Sequence, residues 1–347
     1  MTAAEVALLP DMPRKGWRRE GTRRPFRYYD TRGVRIRDAA TIERLDRLAI
    51  PPAWRDVWIS PNLNAKLQAT GIDAAGRKQY LYHSDFRAQR ESEKFDRLIR
   101  FAEKLPELRA AMAEDMKLDP GDPRRVCAVA LRLINLAWFR VGSERYAKMS
   151  RTYGVTTLRK SHVQVRGKRV SFRFVAKSRV KVRTAVVDEE LASSIRELYS
   201  TPGARLFRYE CDGRLVNLTD RRLNDYIKEH MGDDFSGKDF RTWGGTLLAA
   251  IALAERGPVE TATEQKRVVA GVIRIVAEKL GNTPAVCRAS YVAPAVVEQY
   301  LDGRTIDDFR PRHLRVVTSR DIGLDVEEQA TLSLLRSYRI RRARRAA

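Results

Sequence analysis

Histidine and cysteine are scarce in this chain. Of its 347 residues only His83, His162, His230 and His313 are histidine and only Cys127, Cys211 and Cys287 are cysteine, all far apart. A disulfide framework needs paired cysteines and a zinc knuckle needs them a few residues apart, so neither is expected. Metal catalysis has equally little local support, although distant ligands could converge in space. No uninterrupted apolar run reaches the roughly 18 residues of a membrane-spanning helix, and no charged start followed by an apolar stretch marks a signal peptide. The expectation is a soluble, intracellular protein with no membrane partner. No internal repeat is apparent. One stretch, Gly232-Asp-Asp-Phe-Ser-Gly237-Lys238-Asp239, nearly spells a phosphate-binding loop. It ends in aspartate where that loop needs a magnesium-binding hydroxyl, its three aspartates would repel a triphosphate, and no buried strand precedes it. Neither a nucleotide nor any other cofactor is therefore expected.

Acidic charge is the third shortage. Against 67 Lys+Arg stand 44 Asp+Glu, a formal net charge of +23. Such an excess favours a polyanionic partner over small-molecule metabolism, and nucleic acid is the default. The charge is also spread out: residues 1–90 carry 18 basic and 10 acidic side chains, the remainder 49 and 34. Two basic lobes joined by one linker could embrace a duplex from opposite sides.

A hydrophobic content of 43% suits a globular fold, and the length suggests about two domains. The amino-terminal part reads as basic and β-rich. Seven basic residues between Arg14 and Arg27 are interleaved with Trp17 and Phe26. Short strands are predicted at Tyr28-Tyr29, Val34–Ile36 and Asp56–Ile59, and Gly76-Arg77-Lys78-Gln79-Tyr80-Leu-Tyr82 offers alternating side chains after a turn. The character changes near residues 83–90. Helical periodicity marks Arg90–Leu105, stopping before Pro106, and Arg125–Phe139. Alternation at His162–Arg166, Val170–Phe174 and Val180–Arg183 predicts a three-stranded meander with turns at Gly167-Lys168 and Ala176-Lys-Ser178. Helical patterns resume over 191–199, 219–230, 246–254 and 265–280. Six arginines between Arg336 and Arg345 form a helix-compatible basic tail. The expected fold is α+β, with a small β-rich domain over 1–88 and a mainly helical catalytic domain over 89–347 carrying a three-stranded antiparallel sheet.

Five polar residues supply what phosphodiester cleavage needs: an oxygen nucleophile, a proton for the leaving oxygen, and fixed positive charge around the phosphate. Tyr291, in Cys287-Arg-Ala-Ser-Tyr291-Val-Ala-Pro294, is the candidate nucleophile, and its phosphodiester would retain the energy of the broken linkage. Arg140 follows an apolar helix and Arg241 lies in Lys238-Asp-Phe-Arg241-Thr-Trp-Gly-Gly-Thr246. Each guanidinium can fork onto phosphate oxygens, but Arg140 could instead satisfy its helix's last carbonyls and Arg241 a structural ion pair. Lys177, on the turn between the second and third meander strands, could protonate the leaving oxygen or simply be solvated. Asn282, nine positions before Tyr291, could donate a neutral hydrogen bond or help start a helix at Pro284.

Together with Gly76–Tyr82, Phe139-Arg140-Val-Gly142, Phe174-Val-Ala-Lys177 and Asn282-Thr-Pro-Ala-Val-Cys-Arg-Ala-Ser-Tyr291, these segments give the chain its resemblance to type IB DNA topoisomerases. It is most similar to compact bacterial members like the poxvirus enzyme. The resemblance implies the catalytic fold shared with tyrosine recombinases and a bacterial, cytoplasmic monomer acting on double-stranded DNA of the nucleoid. It also implies relaxation of supercoils through a transient 3′-phosphotyrosyl bond without ATP or an obligatory metal. Arg140, Lys177, Arg241 and Asn282 match the family's activating residues, Tyr291 its nucleophile, and Lys238 a position that assists proton transfer. Arg77, Lys78, Gln79, Tyr80 and Tyr82 match a strand that touches DNA. Asn282 departs from the histidine found in the poxvirus and many cellular members. A tyrosine recombinase is the nearest alternative, disfavoured by Lys238-x-x-Arg241 where His-x-x-Arg is usual. A noncatalytic basic DNA-binding protein is the other.

Overall fold

The structure, a computed structural model, describes residues 16–21, 25–74, 76–310 and 323–346. His313 and four of the early basic residues, Arg14, Lys15, Arg23 and Arg24, lie outside the described residues. The chain divides into two compact units, Met1–Lys94 and Phe95–Ala347. No described helix is long and apolar enough to cross a membrane.

The first unit runs β1 (Trp17–Glu20), β2 (Arg27–Tyr29), α1 (Ala39–Arg47), β3 (Arg55–Ile59), β4 (Leu67–Ile72) and β5 (Lys78–Tyr82). The strands form one antiparallel sheet in the order β2-β1-β3-β4-β5, so β5 is an edge. Tyr28, Leu45, Ile50, Val57, Ile59 and Ala69 make its core. Arg19 is buried because its guanidinium donates to the carbonyls of Ile50, Pro51 and Trp54, which ties the Pro51-Pro52 interruption to β1. Val34–Ile36, predicted as a strand, makes only an isolated bridge between Arg35 and Tyr29.

Helix α2 (Ser84–Asp115) leads onward and does not stop at Pro106 as predicted. A proline inside a helix removes one hydrogen bond and crowds the preceding turn, at about 3 kcal/mol. Leu105, Leu108 and Met112, on both sides of it, are all essentially inaccessible to solvent. Burying each contributes about 1.5–3 kcal/mol, so together they outweigh the proline.

The second unit continues with α3 (Pro123–Ala137), α4 (Glu144–Ser150), β6 (Val163–Arg166), β7 (Arg169–Val175), β8 (Lys181–Val187), α5 (Glu189–Ser200), β9 (Arg208–Cys211) and β10 (Arg214–Asn217). Then follow α6 (Asp220–Met231), α7 (Gly237–Arg256), α8 (Ala262–Leu280), α9 (Pro284–Ser290), α10 (Pro294–Leu301) and α11 (Val326–Ala346). Strands β6-β7-β8 pair antiparallel in that order, with Val170, Phe172 and Phe174 pointing into the helical core. The unit is mainly helical around one large core, and the meander is its only three-stranded sheet among the described residues.

Candidate active site

Helix α3 is started by Asp122, whose carboxylate accepts from the amides of Arg124 and Arg125, and it ends where Trp138 turns left-handed at φ 51°. That reversal sends Arg140 away from the helix axis. Helix α8 ends likewise at Gly281 (φ 61°), leaving Asn282 at the start of the next connection. Thr283, not Asn282, caps α9, accepting from the amide of Val286. The Asn282 side chain is thereby spared for another partner: its Oδ1 accepts from the Arg140 guanidinium at 2.6 Å.

Arg241 lies within α7 because that helix begins earlier than its apolar pattern suggests. Ser236 and Asp239 form a capping box, with the Ser236 amide donating to Asp239 Oδ2 at 2.9 Å. Lys238 and Arg241, which precede the helical pattern read over 246–254, are consequently helical, with Lys238 exposed in the first turn and Arg241 only 4% exposed. The same segment, rejected as a phosphate loop from its sequence, follows helix α6 and not a strand. Arg241 donates to the carbonyls of Trp138 at 2.6 Å and Leu280 at 2.7 Å, the closing residues of α3 and α8. Its guanidinium carbon lies 5.1 Å from the centroid of the Tyr291 ring. Arg241 thus satisfies helix-end carbonyls, the work foreseen for Arg140, and Arg140 shares it by donating to the Gly281 carbonyl at 3.2 Å.

Tyr291 closes α9, half-buried, at the point where the chain turns toward α10. Two glycines of α7 admit the packing around it. A Cβ on Gly244 would stand 2.4 Å from the Trp138 ring, and one on Gly245 would stand 2.5 Å from the Tyr291 carbonyl oxygen. Thr246 Oγ1 then donates to that carbonyl at 3.4 Å and accepts from the Ala293 amide at 3.1 Å. Cys287, one turn before Tyr291, is buried, and burial pushes its thiol up to about 11, so it stays protonated and does not compete as a nucleophile.

Burial brings Arg140 down to about 10, with the neighbouring Arg241 charge acting the same way and Tyr291 opposing. Burial likewise lowers Arg241, again opposed by Tyr291. Both remain guanidinium ions at neutral pH, and neither has an ion-pair partner among the described residues. By contrast Arg109, Arg132 and Arg205, comparably enclosed, each hold a carboxylate within 3 Å. Arg241 Nε and Asn282 Nδ2 are buried donors without an acceptor. One buried and one half-buried cation with two unsatisfied N–H groups around one tyrosine are incomplete without an anion. A cavity of about 710 Å³ opens beside Arg140 and Arg241, walled by Trp138, Phe174, Ala176, Val180 and Gly281.

Arg140, Arg241, Asn282 and Tyr291, up to 151 residues apart in sequence, therefore meet. Lys177 does not join their contacts. It is exposed on the β7–β8 turn, strained by left-handed Ser178 (φ 63°) and Arg179 (φ 59°), yet its neighbours Ala176 and Val180 line the cavity. In the first unit, Tyr80 and Tyr82 stack at 6.4 Å with Lys78 over the Tyr80 ring. Gln79 points to the other face of β5, and its amide donates to Asp73, which also pairs with Arg77.

Residues 83–307 match the family model of the eukaryotic DNA topoisomerase I catalytic core, and residues 25–73 match that of the bacterial DNA topoisomerase IB N-terminal domain. The chain is 35% identical to DNA topoisomerase 1B of Acanthamoeba polyphaga mimivirus over 267 residues, 75% of this chain and 80% of the viral protein. This chain belongs to the type IB DNA topoisomerases. Poxvirus members are more distant: DNA topoisomerase I of monkeypox virus is 24% identical and DNA topoisomerase 1B of vaccinia virus (strain Copenhagen) 23%, each covering 78% of this chain and 85% of the viral protein. The family acts on DNA, and the cationic cluster described above, without an ion pair among the described residues, falls inside the matched catalytic core.

Proposed function

We propose that this enzyme relaxes supercoiled duplex DNA by reversible transesterification, without ATP or an obligatory metal. The observation that carries this reading is the pair of guanidiniums, half-buried Arg140 and buried Arg241, held around Tyr291 with no carboxylate paired to either among the described residues. The Tyr291 hydroxyl gives its proton to solvent as its oxygen attacks the scissile phosphorus, and the bond from phosphorus to the 5′ oxygen breaks. Lys177 delivers the proton that the departing 5′ oxygen needs, with exposed Lys238 assisting proton transfer. Arg140, Arg241 and Asn282 hold the phosphate oxygens as charge builds on them. The DNA 3′ end is left on Tyr291 while the free strand swivels. Because one phosphodiester replaces another, religation by the 5′ hydroxyl needs no chemical fuel. On the first unit, Lys78, Tyr80 and Tyr82 form one face of β5 suited to a DNA backbone or thymine methyl, whereas Arg77 and Gln79 must release Asp73 before touching DNA.

Supercoiled plasmid in molar excess over enzyme, with a metal chelator and no nucleotide, tests this. Each molecule of protein is expected to relax many plasmids of either supercoil sign, working as a monomer. Retention of supercoiling, or strand exchange that requires assembled protomers, would overturn the proposal.

Asn282 gives a second expectation. An amide cannot ionise near neutrality, so this position contributes no pH dependence to cleavage, whereas the histidine of Asn282→His titrates there. Two adjacent guanidiniums disfavour the imidazolium and lower its pKa, so cleavage by the variant should rise toward the acid end of pH 5–8. Single-turnover rates across that range measure it, and superimposable profiles for the two proteins would contradict it.

A further inference from the structure

The outer face of the meander carries a row of cations, of which Lys181 and Arg183 at the edge strand β8 also border the active-site cavity, while Arg166, Arg169 and Arg173 do not. The sheet's register sets Arg166 opposite Arg169 and Arg173 opposite Arg183, with Lys181 at the end of β8 nearest the Lys177 turn. All five are exposed, on the side of the sheet away from Val170, Phe172 and Phe174. Like charges directly opposite on neighbouring strands, about 4.5–5.5 Å apart at Cβ, destabilise a sheet. Their neighbours offer no relief, since none of the five forms an ion pair among the described residues, whereas Lys168 in the adjoining turn pairs with Glu189. Two uncompensated arginine rungs, separated by about 13 Å along β7, constitute a surface that an external polyanion would complete.

We infer that this outer face of the sheet is a second phosphate-binding track, holding the backbone of the duplex that flanks the cleavage site. The inference rests on duplex DNA being the substrate, as in the function proposed above. Charge complementarity selects DNA as the occupant, and the track is continuous with the turn that carries Lys177. Arginines suit the role because they contact phosphate oxygens without reading bases. Arg166, Arg169 and Arg173 therefore add affinity and hold the duplex, but contribute nothing to the chemical step.

The test compares the full-length Tyr291→Phe protein, which binds without cleaving on the reading above, with the same protein further changed to R166A, R169A and R173A. Affinity for a duplex is measured at several salt concentrations. Each lost phosphate contact should lower the slope of log affinity against log salt by about 0.9, for a total of about 2 to 3. With Tyr291 intact, the triple variant at saturating protein should cleave within about twofold of wild type, and lysine at all three positions should restore the slope. Thermal melting should be unchanged or higher, since like-charge rungs are relieved. An unchanged slope in a folded triple variant would overturn the inference, as would a cleavage defect that saturating protein does not correct. Failure of the assigned nucleophile would appear separately, as absence of a covalent adduct in the Tyr291 protein.

Discussion

Tyr291→Phe should bind duplex DNA as tightly as the wild type, form no covalent adduct, and lose relaxation entirely, a fall of at least about 10⁴-fold in cleavage. The change removes one oxygen and leaves the ring under Arg241, and the contacts that Gly245 and Thr246 make are to the Tyr291 backbone and Cβ. Folding should therefore survive, and thermal melting checks it. Binding is dominated by the basic surface, which the variant leaves intact. Residual relaxation above about one part in 10⁴ would assign the nucleophile elsewhere.

The second large effect is expected at Arg241. Arg241→Ala should reduce single-turnover cleavage by about 10³-fold or more, because a positioned charge on the phosphate is lost from a site shielded from water. It should also lower thermal stability, since the Trp138 and Leu280 carbonyls lose a charged donor worth about 1.5–3 kcal/mol each, partly offset by relief of a buried cation. Arg241→Lys should rescue little. An ammonium on a single stem cannot bridge the ends of α3 and α8 while presenting a further N–H, as the guanidinium does with Nε. Cleavage by Arg241→Ala within tenfold of wild type, in a folded protein, would contradict the role.

Much of this architecture was legible because periodicity survives burial on one face. The meander strands alternate cleanly, Val170, Phe172 and Phe174 inward and Arg169, Ser171 and Arg173 outward, so both strands and turns could be read. β4 could not: Leu67, Gln68, Ala69, Thr70 and Gly71 are all buried, and a strand covered on both faces has no alternation to detect. The first turns of α7 were hidden by Gly237, Gly244 and Gly245, poor helix formers kept for close approach of Val141, Trp138 and Tyr291. Pro106 misled in the opposite sense, since tertiary burial overrode the local penalty.

At the candidate site, residue types were readable and their partnerships were not. Nothing local announces that Arg140 meets Asn282 across 142 positions, or that Arg241 is the residue closing two helices. Thr246, which clamps the Tyr291 turn, carries no chemical signal beyond its place in the Arg241 segment. Lys177 shows the converse, a residue whose turn was predicted correctly and whose side chain stands clear of the cluster it is proposed to serve.

Mapping the adduct addresses the central claim most directly. A duplex carrying a label at the 5′ end of the cleaved strand is reacted with the wild-type protein, trapped with detergent, and digested with trypsin. The label should be recovered on the peptide spanning residues 289–304, attached to Tyr291 through the DNA 3′ phosphate. Label on any other tyrosine, or transfer of the strand's 3′ end label instead, would contradict the account.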